Sequence, residues 1–412
     1  VAIKKHLALL CVSVLLVGCS YWNQSNARES EALKAKAESL NVGQIVRSIY
    51  VERDFRPIWI VHGKKQPKLQ QLLELVSDSS HGVHPDSSEI DKFRREDIAD
   101  PAQFDIDVTT ALVNYSRALA RKDANVEREV KAAIDSNAIA QLADRLAPIH
   151  PEYARLRAAL QTAPEAEREQ IELNMDRWRE LPDDLGARHI RVNVPAFDLE
   201  VHDGPQIPLR MKVVVGDNWH KTPLFSSDMK AVIFSPYWNI PESILTKETL
   251  PKIKADPSYA TKQHYEVVRV SGKRVEVLDP DEIDWQHVLP SEIQLRQRPG
   301  AANSLGLVKF LFPNPYNVYL HDTPADKLFG RLARNLSHGC IRLEKPEELA
   351  EYVLRDQPEW SAQRIRNAMH AGEERQVALK DPIPVHIFYF TAWVDEGGSL
   401  HLEKDIYGYD TP

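Results

Sequence analysis

The stretch Leu181–Asp203, LPDDLGARHIRVNVPAFDLEVHD, is where the period of the chain changes. Ahead of it, apolar residues recur at helical spacing. Within it, Ile190, Val192 and Val194 alternate with polar neighbours, the two-residue period of a strand with one buried face. Working back, Leu69, Leu72, Leu73 and Val76 fall at i, i+3, i+4 and i+7, and Val108, Ala111, Leu112, Tyr115 and Leu119 repeat that stripe. Pro151 sits in the first turn of another predicted helix, and Ile171, Met175 and Trp178 line one more. Working forward, Asp203-Gly204 and Ser271-Gly272 read as hairpin turns, and LVKFLF, NVYLHD and PVHIFYFTAWVDEGGSLHLE as further strands. KPEELAEYVLRD between the last two is a helix. The fold class is therefore α+β: a helical domain over 41–180, then a β-rich domain over 181–412.

The chain opens VAIKKHLALLCVSVLLVGCSYW, a basic start and an apolar run too short to span a bilayer comfortably. Residues 1–18 read as a secretory signal. Small residues before Cys19 resemble a bacterial lipobox, so acylation at Cys19, a tether over 19–40 that turns helical towards Leu40 and a periplasm-facing lipoprotein are expected. Ser20 after that cysteine favours the outer membrane. An ordinary cleaved signal or an anchor helix is the competing reading.

The net charge of -8 is spread through 412 residues, and no basic stripe suits nucleic acid. Cys11 would leave with the leader and Cys19 would carry lipid, so Cys340 has no disulfide partner. An exported protein seldom keeps an unpaired thiol without a use. His81 and His84 in HGVHP read as part of a turn, since no further ligand set accompanies them.

Chemistry concentrates in Val318–Leu343, VYLHDTPADKLFGRLARNLSHGCIRL. Cys340 needs a base or a positive partner to react as thiolate. His321, 19 residues upstream at a predicted strand end, can be brought to hydrogen-bond reach by a loop and return. Asp322 follows directly and points elsewhere, which leaves a backbone carbonyl as the candidate for orienting the imidazole. Gly339 permits a sharp turn that aims N–H groups at a developing oxyanion. His338 reads as structural. Arg342 either grips a substrate carboxylate or braces the loop, and Tyr237, Trp238 and Tyr319 either line a cleft or pack in the core.

His321, fifteen intervening residues, then Ser337-His338-Gly339-Cys340 and Arg342 resemble the signature of the L,D-transpeptidase (YkuD-type) family. DFRPIW, NMDRWRELP, HIRVNVPAF, SPYWNIP and GLVKFLFPNPYNVYLHDTP are similar to segments of its large Gram-negative members, together touching residues 54 to about 350. The resemblance implies a helical scaffold domain and a mixed β-sandwich catalytic domain, with a lid expected over 247–302. It also implies attack by Cys340 on the diaminopimelate carbonyl of a peptidoglycan tetrapeptide stem, with release of D-Ala and transfer to an acceptor amine as a 3-3 crosslink. His321 would move the protons, and Gly339 and Cys340 N–H would hold the oxyanion on a loop shared with Ser337 and His338. Carbapenems would acylate the same thiol, and no metal or organic cofactor is required. A monomer is expected, and the wall-binding module of larger relatives has no room between YSRALAR and HPEYARLR. Protein attachment, D-amino-acid exchange and L,D-carboxypeptidase trimming share the acyl-enzyme and stay open, as does a non-enzymatic envelope scaffold. Thiol endopeptidases of the NlpC/P60 type place Cys before His, and sortases space the pair more widely.

Overall fold

The computed structural model describes residues 25–271 and 274–410; the expected leader 1–18 and Cys19 lie outside them. The chain divides into two compact units, one running to Asp183 and taking in Ala392–Leu402, the other formed by Asp184–Thr391 and the residues from Glu403 onward.

The first unit is helical. Its first described helix, α1, spans residues 25–39, where a polar tether was expected; Leu33 and Ala37, one turn apart, are both buried and hold it down. It is followed by α2 (Gln44–Val51), a short ribbon of β1 (Ile60–Val61) and β2 (Lys64–Lys65), α3 (Pro67–Ser77), α4 (Ser87–Arg94), α5 (Pro101–Leu119) and α6 (Val126–Asp135). Then come α7 (Leu142–Leu146), α8 (Pro151–Thr162) and α9 (Glu165–Arg179). Proline opens α3, α5 and α8, where its missing N–H costs nothing. The predicted stripes are buried, except that Leu75 rather than Leu73 completes the face of α3.

Asp105 on α5 fixes the irregular segment between α2 and β1. Its carboxylate accepts the N–H groups of Ile58, Trp59 and Ile60 at 2.8–3.1 Å and the Tyr50 hydroxyl at 2.8 Å. Thr109, one turn on, accepts from the Trp59 indole at 2.8 Å. The two histidines of HGVHP separate: His81 meets the Tyr153 hydroxyl at 3.0 Å, and His84 meets Glu172 at 3.0 Å. The hairpin Ala392–Leu402, expected with the β-rich domain, groups with this unit, where the Val394 carbonyl accepts from Arg155 at 3.0 Å.

The second unit is built on a nine-stranded mixed sheet. Its strands are β3 (Arg188–Asn193), β4 (Asp198–Asp203), β5 (Gln206–Gly216), β6 (Phe225–Phe234), β11 (Val308–Leu311), β12 (Leu320–His321), β13 (Asn335–Ser337), β14 (Ile341–Leu343) and β15 (Arg375–Phe388). The order is β13-β5-β14-β12-β11-β6-β15-β3-β4, and pairing of β4 with β5 closes the circuit. Inward residues such as Ile190, Val192, Val213, Val232, Phe310, Leu320 and Ile341 form the core with Leu349, Val353 and Ile365 from the helices Pro346–Val353 and Ala362–Met369.

Between β6 and β11 the chain forms a subdomain that encloses the expected lid 247–302 and begins before it. Four strands, β7 (Trp238–Asn239), β8 (Tyr265–Ser271), β9 (Arg274–Leu278) and β10 (Gln294–Gln297), make a separate sheet. Its own core holds Ile240, Leu245, Ile253, Val267, Trp285 and Leu295. An insert with a core of this kind is a folded body rather than a loose flap.

Three histidines stack within the β3, β4 and β15 region. The rings of His189 and His202 lie 4.7 Å apart and nearly parallel, and His386 meets His189 edge-on at 5.5 Å. Burial pushes His189 down to about 4, and the neighbouring imidazoles add to that. An unfolded imidazole titrates near 6.5, so the unfolded chain binds the proton first. Stability from this group is full above about pH 6.5 and declines as pH falls toward 4, by about 2–3 kcal/mol. Chemical denaturation at pH 7 and pH 5 should show that loss, and His189→Phe should reduce the difference. In the helical unit, Asp105→Ala strands three buried N–H groups and should lower stability by about 3 kcal/mol or more, read as a lower melting temperature.

Candidate active site

The parallel pairing of β12 with β14 builds the site. Leu320 lies opposite Ile341 and His321 opposite Arg342, and one step earlier the Ile341 N–H donates to the Tyr319 carbonyl at 3.2 Å. Since side chains alternate, Leu320 and Ile341 enter the core while Tyr319, His321, Cys340 and Arg342 share the other face. Sequence spacing of 19 residues thus becomes a two-by-two grid of phenol, imidazole, thiol and guanidinium.

His321 is fully buried in practical terms, at 4% exposure. Its Nδ1 donates to the Asp322 backbone carbonyl at 2.5 Å, so the tautomer with a free, accepting Nε2 is favoured. The Asp322 carboxylate is engaged elsewhere, accepting from Leu307 and Thr323 N–H at 2.7 Å each. Gly306 is required beside it, because a Cβ there would stand 2.3 Å from that carboxylate. Burial, then Arg342, pull His321 down to about 3; the Asp322 carbonyl opposes them and Lys309 adds to them. The imidazole is neutral at physiological pH and available as a base.

Cys340 is partly exposed and not in a disulfide. Among the described residues no hydrogen bond joins its sulfur to His321, the contact expected from spacing; the Sγ faces the Asn317 carbonyl at 3.9 Å. The two side chains are diagonal on the grid, and catalytic hydrogen bonds of this type often tighten only with substrate. Burial pushes the thiol up; the Tyr319 N–H and hydroxyl and the Arg342 charge pull it back.

The loop before the cysteine is stapled by its own residues. The Ser337 hydroxyl donates to the Cys340 carbonyl at 2.5 Å and accepts the Gly339 N–H at 3.1 Å. Gly339 has φ of +107°, which a side chain resists. Its N–H is already used, so the oxyanion role expected of it is not open in this state; the Cys340 N–H has no partner among the described residues.

Residues that sequence reasoning passed over support this loop. Thr222, wholly buried, donates to the Gly339 carbonyl at 2.8 Å and accepts the Gly216 N–H at 2.9 Å. The Tyr407 hydroxyl donates to the Gly216 carbonyl at 2.6 Å and accepts the Thr222 N–H at 3.1 Å. Asn314 shapes the turn that presents Asn317 to the sulfur, bonding Phe312, Tyr316 and Val318 at 2.8–3.1 Å.

The remaining predicted residues divide. Tyr319 and Arg342 stand on the grid. His338 points to the inserted subdomain, its Nε2 meeting Glu248 at 2.7 Å and its ring lying 4.7 Å from that of His220. Tyr237 and Trp238 are engaged away from the thiol: the Arg296 guanidinium covers Tyr237 at 4.0 Å, and Trp238 packs against the subdomain core. No group of three or more His, Cys, Asp or Glu among the described residues could hold a metal.

A family model described as the L,D-transpeptidase catalytic domain (YkuD) matches residues 187–385, and one described as a scaffold domain matches 44–128. A curated protein of Haemophilus influenzae named "Putative L,D-transpeptidase" is 35% identical over 243 residues, covering 59% of this chain and 48% of that protein. The match thus spans about half the length of that relative. Among solved structures, an L,D-transpeptidase from Mycobacterium smegmatis is 14% identical with a TM-score of 0.24, over 49% of this chain and 58% of the other. L,D-transpeptidase 3 from Mycobacterium tuberculosis, in complex with a faropenem-derived adduct, is 17% identical with a TM-score of 0.22, over 49% and 60%.

Tyr319→Phe removes a donor that favours the thiolate. The thiol should then ionise at higher pH, and alkylation of Cys340 by iodoacetamide at pH 7 should slow several-fold, its rate–pH midpoint moving up. An unmoved midpoint would show that the phenol does not act on the sulfur.

Proposed function

We propose that this chain, whose residues 187–385 belong to the L,D-transpeptidase catalytic-domain (YkuD) family, is a peptidoglycan L,D-transpeptidase with Cys340 as its nucleophile. The observation that carries the reading is the grid: a thiol diagonal to a buried imidazole whose Nδ1 is held by a carbonyl and whose Nε2 is free. A packing thiol needs no such neighbour.

In the first half-reaction the His321 Nε2 takes the thiol proton as sulfur attacks the carbonyl at the L-centre of diaminopimelate. The carbonyl electrons move onto oxygen, where the Cys340 N–H can meet them; loss of one such donor costs about 3 kcal/mol. Collapse breaks the amide bond, and His321 returns the proton to the departing D-Ala amine. In the second half an acceptor amine attacks the thioester, giving its proton to His321, and sulfur leaves. A stem amine gives a 3-3 crosslink. Protein attachment, D-amino-acid exchange and trimming by water use the same intermediate. No step requires a metal or organic cofactor, since the thiol and imidazole supply the nucleophile and the proton transfers.

Two neighbours complete the reading. The subdomain carrying Glu248 approaches the Cys340 loop through His338, which suits a cover over a bound stem. The basic, apolar start of the chain and the LVGC before Ser20 support a lipid anchor at Cys19 in an outer-membrane, periplasm-facing protein. No described helix is long and apolar enough to cross a membrane.

With disaccharide tetrapeptide as donor and acceptor, the parent should form dimers detectable by mass spectrometry. Cys340→Ser should lose nearly all of that turnover, as should His321→Ala, while His338→Ala should retain more than either. A carbapenem, whose strained lactam offers the thiol a carbonyl, should add to the parent and not to Cys340→Ser. Dimer formation by Cys340→Ser at the parent rate would refute the mechanism.

A further inference from the structure

The face that carries the grid continues across the sheet. Lys309 on β11 is the register partner of His321, which in turn partners Arg342 on β14. The buried imidazole therefore stands between two cations, one on each neighbouring strand, at a strand spacing of about 4.8 Å.

Neither cation has an acidic partner. Among the described residues no carboxylate lies within ion-pair distance of Lys309 or Arg342. The Arg342 Nε is buried without a hydrogen bond. A loop-bracing arginine would show its N–H groups on carbonyls, as Arg334 does with Val213, Arg331 and Phe197 at 2.8–3.2 Å. Arg342 shows none. Lys309 lies 5.8 Å from the centre of the Tyr319 ring, and the acidic group that acts on it, Glu374, is committed to the Tyr237 N–H at 2.7 Å. Two half-buried, unpaired cations beside a nucleophile are costly to hold unless an anion arrives to share the site.

We propose that Lys309 and Arg342 form a carboxylate-binding pair that seats the acyl donor over His321 and Cys340. The inference rests on the transpeptidase reading and goes further by assigning Lys309 a role and settling which of two roles Arg342 has. The ligand chemistry is a carboxylate of the stem, gripped by a planar guanidinium fork on one side and an ammonium on the other. Two stem carboxylates flank the scissile bond: that of the terminal D-Ala and that at the side-chain centre of diaminopimelate. Either would offset the charges flanking His321, so the imidazole becomes a stronger base when the donor is in place.

The test compares three donors with the full chain: disaccharide tetrapeptide as free acid, the same with a terminal carboxamide, and the same with a carboxamide at the diaminopimelate side-chain centre. The parent should prefer the free acid over one of the two amides by at least tenfold in kcat/KM, chiefly through KM, and which amide suffers identifies the carboxylate. In Lys309→Gln and in Arg342→Gln that acid-over-amide ratio should fall toward one, an effect that loosened folding, acting on all donors alike, would not produce. A parent that turns over all three donors without preference, or variants that keep the parent ratio, would overturn the pair. A parent inactive on all three would instead sink the transpeptidase reading, and this inference with it.

Discussion

Parallel pairing of two very short strands, Leu320–His321 and Ile341–Leu343, is the constraint on which the site depends. A one-residue slip of either strand would turn its own polar group, His321 or Cys340, towards the core and bring its buried partner, Leu320 or Ile341, to the other face. The register is pinned from both sides. Leu320 and Ile341 are wholly buried, and β14 is also paired to β5 through Arg342 with Val214 and Leu343 with Val213. Hydrophobic burial on one face of the sheet therefore positions the polar groups on the other.

The loop between the strands has no regular ladder at Cys340 and is held by side-chain hydrogen bonds. Ser337 closes it from within, while Thr222 and Tyr407 tie it to Gly216 at the end of β5. Each of these bonds joins a buried hydroxyl to a backbone group, so the loop is fixed from below by the body of the sheet. The electrostatics follow from the same placement: burial raises the thiol and lowers the imidazole, which favours the neutral form of each.

Much of this was legible in the sequence. The helical stripes of α5 and α9 and the alternation in β3 reflect local burial, which a one-dimensional pattern records. The placement of Cys340 near His321 and the carbonyl at the His321 Nδ1 were likewise accessible, because strand–loop–strand spacing is local. Other features were not. The helix expected towards Leu40 already begins at residue 25, because two apolar residues one turn apart, Leu33 and Ala37, suffice to bury one face in an otherwise polar stretch. Thr222 and Tyr407 are far from Cys340 along the chain, and only the tertiary fold brings them to its loop. The occupation of the Gly339 N–H by Ser337 depends on a rotamer, which no motif encodes. Lys309 left a signal that went unused: one lysine inside the apolar run LVKFLF marks a charge that the sheet must place somewhere specific.

The proposed mechanism places the acyl group on Cys340. Its most direct test is rapid quenching of the full chain with disaccharide tetrapeptide in the absence of an added acceptor, followed by peptide mapping by mass spectrometry. A hydroxylamine-sensitive adduct is expected on the peptide containing Cys340, with the mass of the donor less D-Ala. Product formation with no adduct on that peptide, or with an adduct on another residue, would contradict the mechanism.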